Sequence, residues 1–423
     1  MSDKDEPKLT KNADRQPTKV AWTLWGLFTF FYAYQYIIRV LPAYIVQDIM
    51  LHFNITAQDF GIFSSIYYIG YSLIHLPVGL YLDKFGVKKI MPFSIFLVSA
   101  GLGLLPITEN WIIALIGRLF VGIGSSGAAL GLLNILTSFF PQKLFNKLLS
   151  VSIAIGLASV IFLGRIINNT INQIGWKNLI TILSFTGIML SILVLIIAPN
   201  YNKNNDSTSV VEQLKSVFTN YKIIIIASAG GLMVGPLEGF CDAWAIEFFK
   251  QVYNFNSNVT SNLIPLLFAG MIAGLLIIPT IADKFKIHYP LIILAAIIMA
   301  VCLFVILFCN INLLLIKILL FICGVFSCYQ SSLLFINSLY ANRKAVSLSL
   351  ALTNMIIMIF GALFHPLIGI IMELHWDGRI INSLHQYSNN AYINSLSIIP
   401  IASMLGGIIL LITKRKLPKK GNI

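Results

Sequence analysis

Apolar runs of about 20 residues recur from Ala21 to Ile412, each long enough to cross the ~30 Å hydrocarbon core of a bilayer. Only 11% of the 423 residues are charged, against roughly 25% in a soluble globule. The deficit extends over the whole length, so lipid rather than water faces most of the surface. The runs read as twelve membrane helices. Six lie near 21–45, 59–81, 90–108, 112–138, 148–170 and 179–198, and six near 223–249, 260–282, 290–309, 312–339, 346–371 and 392–413. The expected organisation is a tail (1–20), a six-helix bundle (21–198), a linker (199–222), a second six-helix bundle (223–413) and a basic tail (414–423). In the polar, Asn-rich linker Val210, Val211, Leu214, Val217 and Phe218 fall at helical spacing and point to a short surface helix.

The formal net charge of +13 would fit nucleic acid in a soluble protein. Here the basic residues lie in loops and tails, where membrane orientation accounts for them, so no nucleic-acid partner is expected. With the N-terminus placed in the cytoplasm, 22 of the 29 lysines and arginines fall in inner segments. Only Lys177, Lys250 and Arg379 fall in outer loops, and Arg39, Arg118, Arg165 and Lys317 lie within helices. That bias sets both termini in the cytoplasm. The polar stretch Met1–Lys19 lacks the apolar core of a cleavable signal, so the first helix directs insertion. The five cysteines (Cys241, Cys302, Cys309, Cys323, Cys328) all sit in apolar runs without metal-ligand spacing and read as buried, inert thiols.

Between the second and third runs stands the charged turn Gly79-Leu80-Tyr81-Leu82-Asp83-Lys84-Phe85-Gly86-Val87-Lys88-Lys89. A weaker copy, Pro279-Thr280-Ile281-Ala282-Asp283-Lys284-Phe285-Lys286, follows two hundred residues later. One turn repeated at half-chain spacing marks two similar bundles, an architecture in which the halves rock about a central site. Gly79-x-x-x-Asp83-Lys84-x-Gly86-x-Lys88-Lys89 resembles the loop signature of the major facilitator superfamily. Arg118-x-x-x-Gly122-x-Gly124 and Gly175-Trp176-Lys177 support the likeness, which covers essentially the whole chain. The resemblance implies an all-α, twelve-helix, two-bundle transporter that works as a monomer. It implies that Gly79, Asp83, Lys84, Gly86, Lys88 and Lys89, with Asp283 and Lys284, latch the bundles on the cytoplasmic side, and that Arg118 serves structure or proton coupling.

Charges inside a bilayer cost about 2.5–3.5 kcal/mol even on an insertion scale, so they should face a cavity or a partner. Tyr32, Tyr36 and Arg39 share one face of the first helix by i, i+4, i+7 spacing. A guanidinium fork above two hydroxyls suits a carboxylate or a phosphate; the bland reading is an arginine snorkelling to the interface. Glu238 and Asp242 stand four apart on the seventh helix, at a depth like that of Arg39. Two such acids repel unless a proton or cation lies between them. Arg39 facing these acids can hold both ends of a zwitterion, the acids can carry a driving proton, or Arg39 and Glu238 can pair structurally and close the outer gate. Asp242 lies close enough to the interface to be solvated instead. Arg165 could assist an anion; Asn134, Gln330 and Asn354 could line a pathway; His75 and His365 read as packed hydrogen-bonders.

No nucleophile–base pair, Walker loop or cofactor motif is present in the sequence, so neither an enzyme nor a direct ATPase is expected. The chain reads as a secondary transporter importing a small polar solute, an amino acid, with a proton as co-substrate and membrane lipid around it. The alternatives are an organic-anion or sugar-phosphate carrier using Arg39 and Arg165, and a non-transporting membrane sensor on the same fold. The whole chain is also similar to bacterial major-facilitator importers of the phagosomal-transporter type, which take up amino acids; that likeness implies a bacterial inner membrane.

Overall fold

The computed structural model describes residues 17–200, 215–341, 345–381 and 384–416. Among them the chain runs as twelve helical spans. The first six are Lys19–Val40, Ala57–Phe85, Val87–Ile107, Trp111–Phe139, Gln142–Ile174 and Trp176–Ile197. The second six are Tyr221–Tyr253, Ser257–Phe285, His288–Phe308, Leu313–Tyr340, Val346–Leu374 and Asn389–Lys414. Ten are long and apolar enough to cross a membrane, and the first makes eleven if counted with the short helix Val46–Phe53, set at 67° to it. The second span has the length, 29 residues. Tyr67, Tyr68, Tyr71, Ser64, Ser65, Ser72 and His75 lower its apolarity.

The same pairings recur in both halves. The first span packs on the fifth, the second on the fourth and the third on the sixth; likewise the seventh on the eleventh, the eighth on the tenth and the ninth on the twelfth. Small residues permit these contacts, because in lipid close van der Waals approach holds helices together. A Cβ on Gly122 would stand 2.1 Å from the Tyr67 carbonyl oxygen, and one on Gly324 2.0 Å from that of Leu267. The fourth and tenth spans also break at matching places, after Ser125 and after Ser327. There Ser126 and Ser327 each donate a 2.7 Å hydrogen bond to the carbonyl three residues back, a contact that bends helices.

Two further pairings, second with eleventh and fifth with eighth, join the halves. Named contacts gather at the end opposite the charged turn. Gln47 donates to Glu247 at 3.1 Å, and Lys250 holds the other oxygen of Glu247 at 2.8 Å. The loop after the eleventh span contains a small antiparallel hairpin, Ile380–Ile381 with Leu384–His385, which departs from a purely helical chain. His385 stacks on Trp376 at 3.6 Å and contacts Glu373 at 2.7 Å. Tyr387 donates to Glu373 at 2.6 Å and accepts the Ala57 amide at 2.9 Å, tying this loop to the first turn of the second span.

The charged turn is tight because Gly86, at φ +77°, closes the second span and opens the third. Its weaker copy puts Lys286 in the left-handed region at φ +53°, and Asp283 lies 3.4 Å from His288. A Cβ on Gly79 would meet Leu130 Cδ1 at an ordinary 3.9 Å, Lys84 lies over the Phe85 ring and Lys284 over that of Phe285. Lys88 is half-buried and Lys89 exposed. The side chain of Asp83 lies outside the described part, as do the tails 1–16 and 417–423 and Val210, Val211 and Leu214 of the expected surface helix; residues 215–218 are helical. One expectation is corrected: Cys309 is exposed, since it caps the ninth span rather than lying within it.

Two outcomes are expected. Gly122→Val and Gly324→Val each force apart a helix pair in backbone contact, costing about 1–3 kcal/mol or more; the check is loss of monodisperse protein on size exclusion. Tyr387→Phe frees the Ala57 amide and removes about 1 kcal/mol of contact between the halves, read as faster hydrogen exchange in a peptide spanning residues 54–63 with the rest unchanged.

Candidate functional site

Two helix irregularities set the site. Pro42 has no N–H for the Ile38 carbonyl, so the first helix tightens into a 3-10 turn, Leu41–Tyr44. Arg118 takes up that carbonyl: its Nη1 donates to Ile38 O and its Nη2 to Arg39 O, both at 3.3 Å. The cation sits where a helix C-terminus is most negative, and its face covers the Tyr67 ring at 4.9 Å. Arg118 thus fixes the backbone that carries Arg39.

The seventh span meets the opposite irregularity. Its α-helix runs through Pro236 to Gly239, and Phe240–Trp244 then form a π turn closed by the Ala245 amide bonding back to Phe240 O. Such a turn holds one residue more than an α turn and often marks a functional place. Asp242 lies in it, so the strict i, i+4 relation to Glu238 assumed from spacing does not hold; the extra residue turns Asp242 away from directly above Glu238. The 3-10 turn and the π turn pack against each other.

At that contact the structure brings three sequence candidates together. Arg39 Nε stands 3.1 Å from Asp242 Oδ2, and Arg39 Nη1 stands 3.5 Å from Glu238 Oε1. Asp242 is 2% exposed, so it is not solvated at an interface. The guanidinium carbon lies 5.0 Å from the centre of the Tyr36 ring, and Tyr36 meets Tyr32 edge-on at 5.2 Å. Gly156 on the fifth span makes room for both rings; a Cβ there would reach Tyr32 at 2.8 Å. Gln330 and Ser327 join the three charged residues around a cavity of about 30 Å³, room for a water or two and not for an amino acid. With all three ionised the cluster carries one surplus negative charge. Removing one partner from a buried ion cluster costs about 3–5 kcal/mol, because a charge is left uncompensated.

The other sequence candidates contribute no ion pair to this cluster among the described residues. Asn134 and Asn354 are half-buried on their helices, Lys317 is exposed, and the side chain of Arg165 lies outside the described part. His75 stacks on Tyr71 at 5.2 Å. His365, fully buried, bonds its own helix at Gly361 O, 2.7 Å away. Tyr68, which spacing did not single out, donates its hydroxyl to Asp242 Oδ2 from the other half of the molecule. Its only signal in the sequence is a tyrosine among tyrosines.

The model of the Major Facilitator Superfamily matches residues 23–365, most of the chain. Relatives are distant and partial. The uncharacterized transporter YybO of Bacillus subtilis is 26% identical over 162 residues, 37% of each chain. The sialic acid transporter NanX of Escherichia coli is 23% identical over 248 residues, 57% of this chain and 60% of its own. The chain therefore spans less than two thirds of these relatives' length. In fold it is similar to a D-xylose–proton symporter, with a TM-score of 0.72 at 13% identity over 96% of this chain and 99% of that one. The family match and the repeated bundles lead to one assignment: this chain belongs to the major facilitator superfamily, and is a multi-pass membrane transporter rather than an enzyme.

Proposed function

We propose that this transporter imports a small zwitterion, an amino acid, together with a proton, and that Arg39, Glu238 and Asp242 form its site beside Tyr32 and Tyr36. The observation that carries the reading is the buried cluster of one guanidinium between two carboxylates at the meeting of the halves. Its surplus of acid favours a solute that brings an amine, or a proton that neutralises one carboxylate. A carrier of anions would gather spare positive charge, and Arg118 is committed to backbone carbonyls. The solute's carboxylate would take Arg39 and its ammonium the acids, replacing the pairs that now link the halves. Exchanging one set of ionic contacts for another lets the halves separate without leaving a charge bare.

The bias of Lys and Arg toward the segments on one side supports cytoplasmic termini, and the bacterial relatives support an inner membrane. The D-xylose–proton symporter, alike in fold, supports proton coupling. Similarity to the sialic acid transporter NanX favours a second reading, an organic-anion carrier with Arg39 as the carboxylate anchor.

Uptake into proteoliposomes under an inward proton gradient, across amino acids, sugar phosphates and carboxylates, tests both. Saturable amino-acid uptake abolished by a protonophore is the expected result. Uptake confined to carboxylates selects the second reading, and saturable binding without flux makes the protein a sensor. Arg39→Lys keeps the charge and loses the fork, and should raise KM for a carboxylate-bearing solute about tenfold; normal transport by Arg39→Ala refutes the anchor. Neutralising Glu238 and Asp242 together should abolish amino-acid uptake and spare anion uptake.

A further inference from the structure

The two acids of the cluster are not used up by Arg39. Asp242 Oδ2 accepts the Tyr68 hydroxyl and is ion-paired with Arg39 Nε, which makes no hydrogen bond, while Asp242 Oδ1 is buried with no hydrogen-bond partner among the described residues. Glu238 turns Oε1 to Arg39, and its Oε2 is likewise buried and unpartnered. A buried carboxylate oxygen without a partner is costly. Two of them in one cluster make an acceptor waiting for donors.

Tyr68 decides which oxygens stay free. It comes from the second span, is 1% exposed, and reaches across the meeting of the halves. Its ring is clamped there: the His365 imidazole lies 4.8 Å away at 37°, and Tyr67 packs on it edge-on at 5.2 Å. Gly361 is the floor beneath. A Cβ on Gly361 would meet Tyr68 Cδ1 at 2.8 Å and Glu238 Oε2 at 3.0 Å. The one missing side chain therefore makes room both for the tyrosine ring and for the free oxygen of Glu238. A ring held on three sides is fixed in place, so its hydroxyl holds Asp242 by Oδ2 and leaves Oδ1 without a partner.

We propose that Tyr68, seated on Gly361, is a positioning residue that reserves Asp242 Oδ1 and Glu238 Oε2 as the acceptor pair for the ammonium group of the solute. A proton needs a single oxygen, whereas an ammonium offers three N–H donors to several acceptors. Two free oxygens on two acids match the second. The inference rests on the amino-acid reading of the site and adds the residues that would recognise the amine.

The test uses the purified full-length transporter in detergent and reads thermal stabilisation. The probes are the twenty proteinogenic amino acids, each paired with the carboxylate that lacks its α-amino group. For wild type, one or more amino acids should stabilise well above their desamino partners. Tyr68→Phe keeps the ring and loses the hydroxyl. It should weaken amino-acid binding about tenfold while leaving binding of the desamino carboxylate unchanged, so that discrimination between the two falls. Gly361→Ala, which displaces the ring and crowds Glu238 Oε2, should do the same and serves if Tyr68→Phe is not monodisperse. Unchanged discrimination in both variants overturns the role of Tyr68 alone. Failure of every amino acid to stabilise wild type overturns this role and the amino-acid reading together. A merely structural tyrosine would lower both affinities in parallel, and that result also counts against the proposal.

Discussion

A guanidinium and two carboxylates cannot stay in a low-dielectric interior unless each meets the others, and the rest of the structure arranges that meeting. Arg39 and the two acids come from different halves, so the cluster exists only while the halves are in contact. The six-helix repeat brings the first and seventh spans to equivalent positions, and glycine-tight pairs hold each half rigid enough to deliver them. The ionic contact is thus one reason for the halves to stay together.

The spans, their repetition and the lone charges within them were legible in the sequence, because each departs from a strong background. A charged residue stands out in an apolar run, so Arg39, Glu238 and Asp242 could be named before their contacts were seen. Tyr68 could not. Buried tyrosines serve equally as packing, and Tyr67, Tyr68 and Tyr71 differ only in what the eleventh span presents to each. Gly361 was hidden for a related reason, since its importance lies in a side chain that is missing opposite a residue 293 positions away. The hairpin after the eleventh span leaves no signal in the sequence, because two-residue strands give no alternation to detect.

Arg118 illustrates a partial reading. Its place in the fourth helix supported the family resemblance, and the resemblance implied structure or proton coupling. The geometry gives it a specific duty, covering the carbonyl that Pro42 leaves open. That duty depends on a proline 76 residues earlier, a relation that no local pattern in the fourth helix contains.

The overwound turn after the first helix and the underwound turn inside the seventh lie in contact, at equivalent points of the repeat. They are winding defects of opposite sense in two otherwise matched rods. The extra residue widens the seventh span just where the first is drawn tight, so the two turns seat against each other, and Asp242 rides on the wider one to meet Arg39 and Tyr68 of the other half.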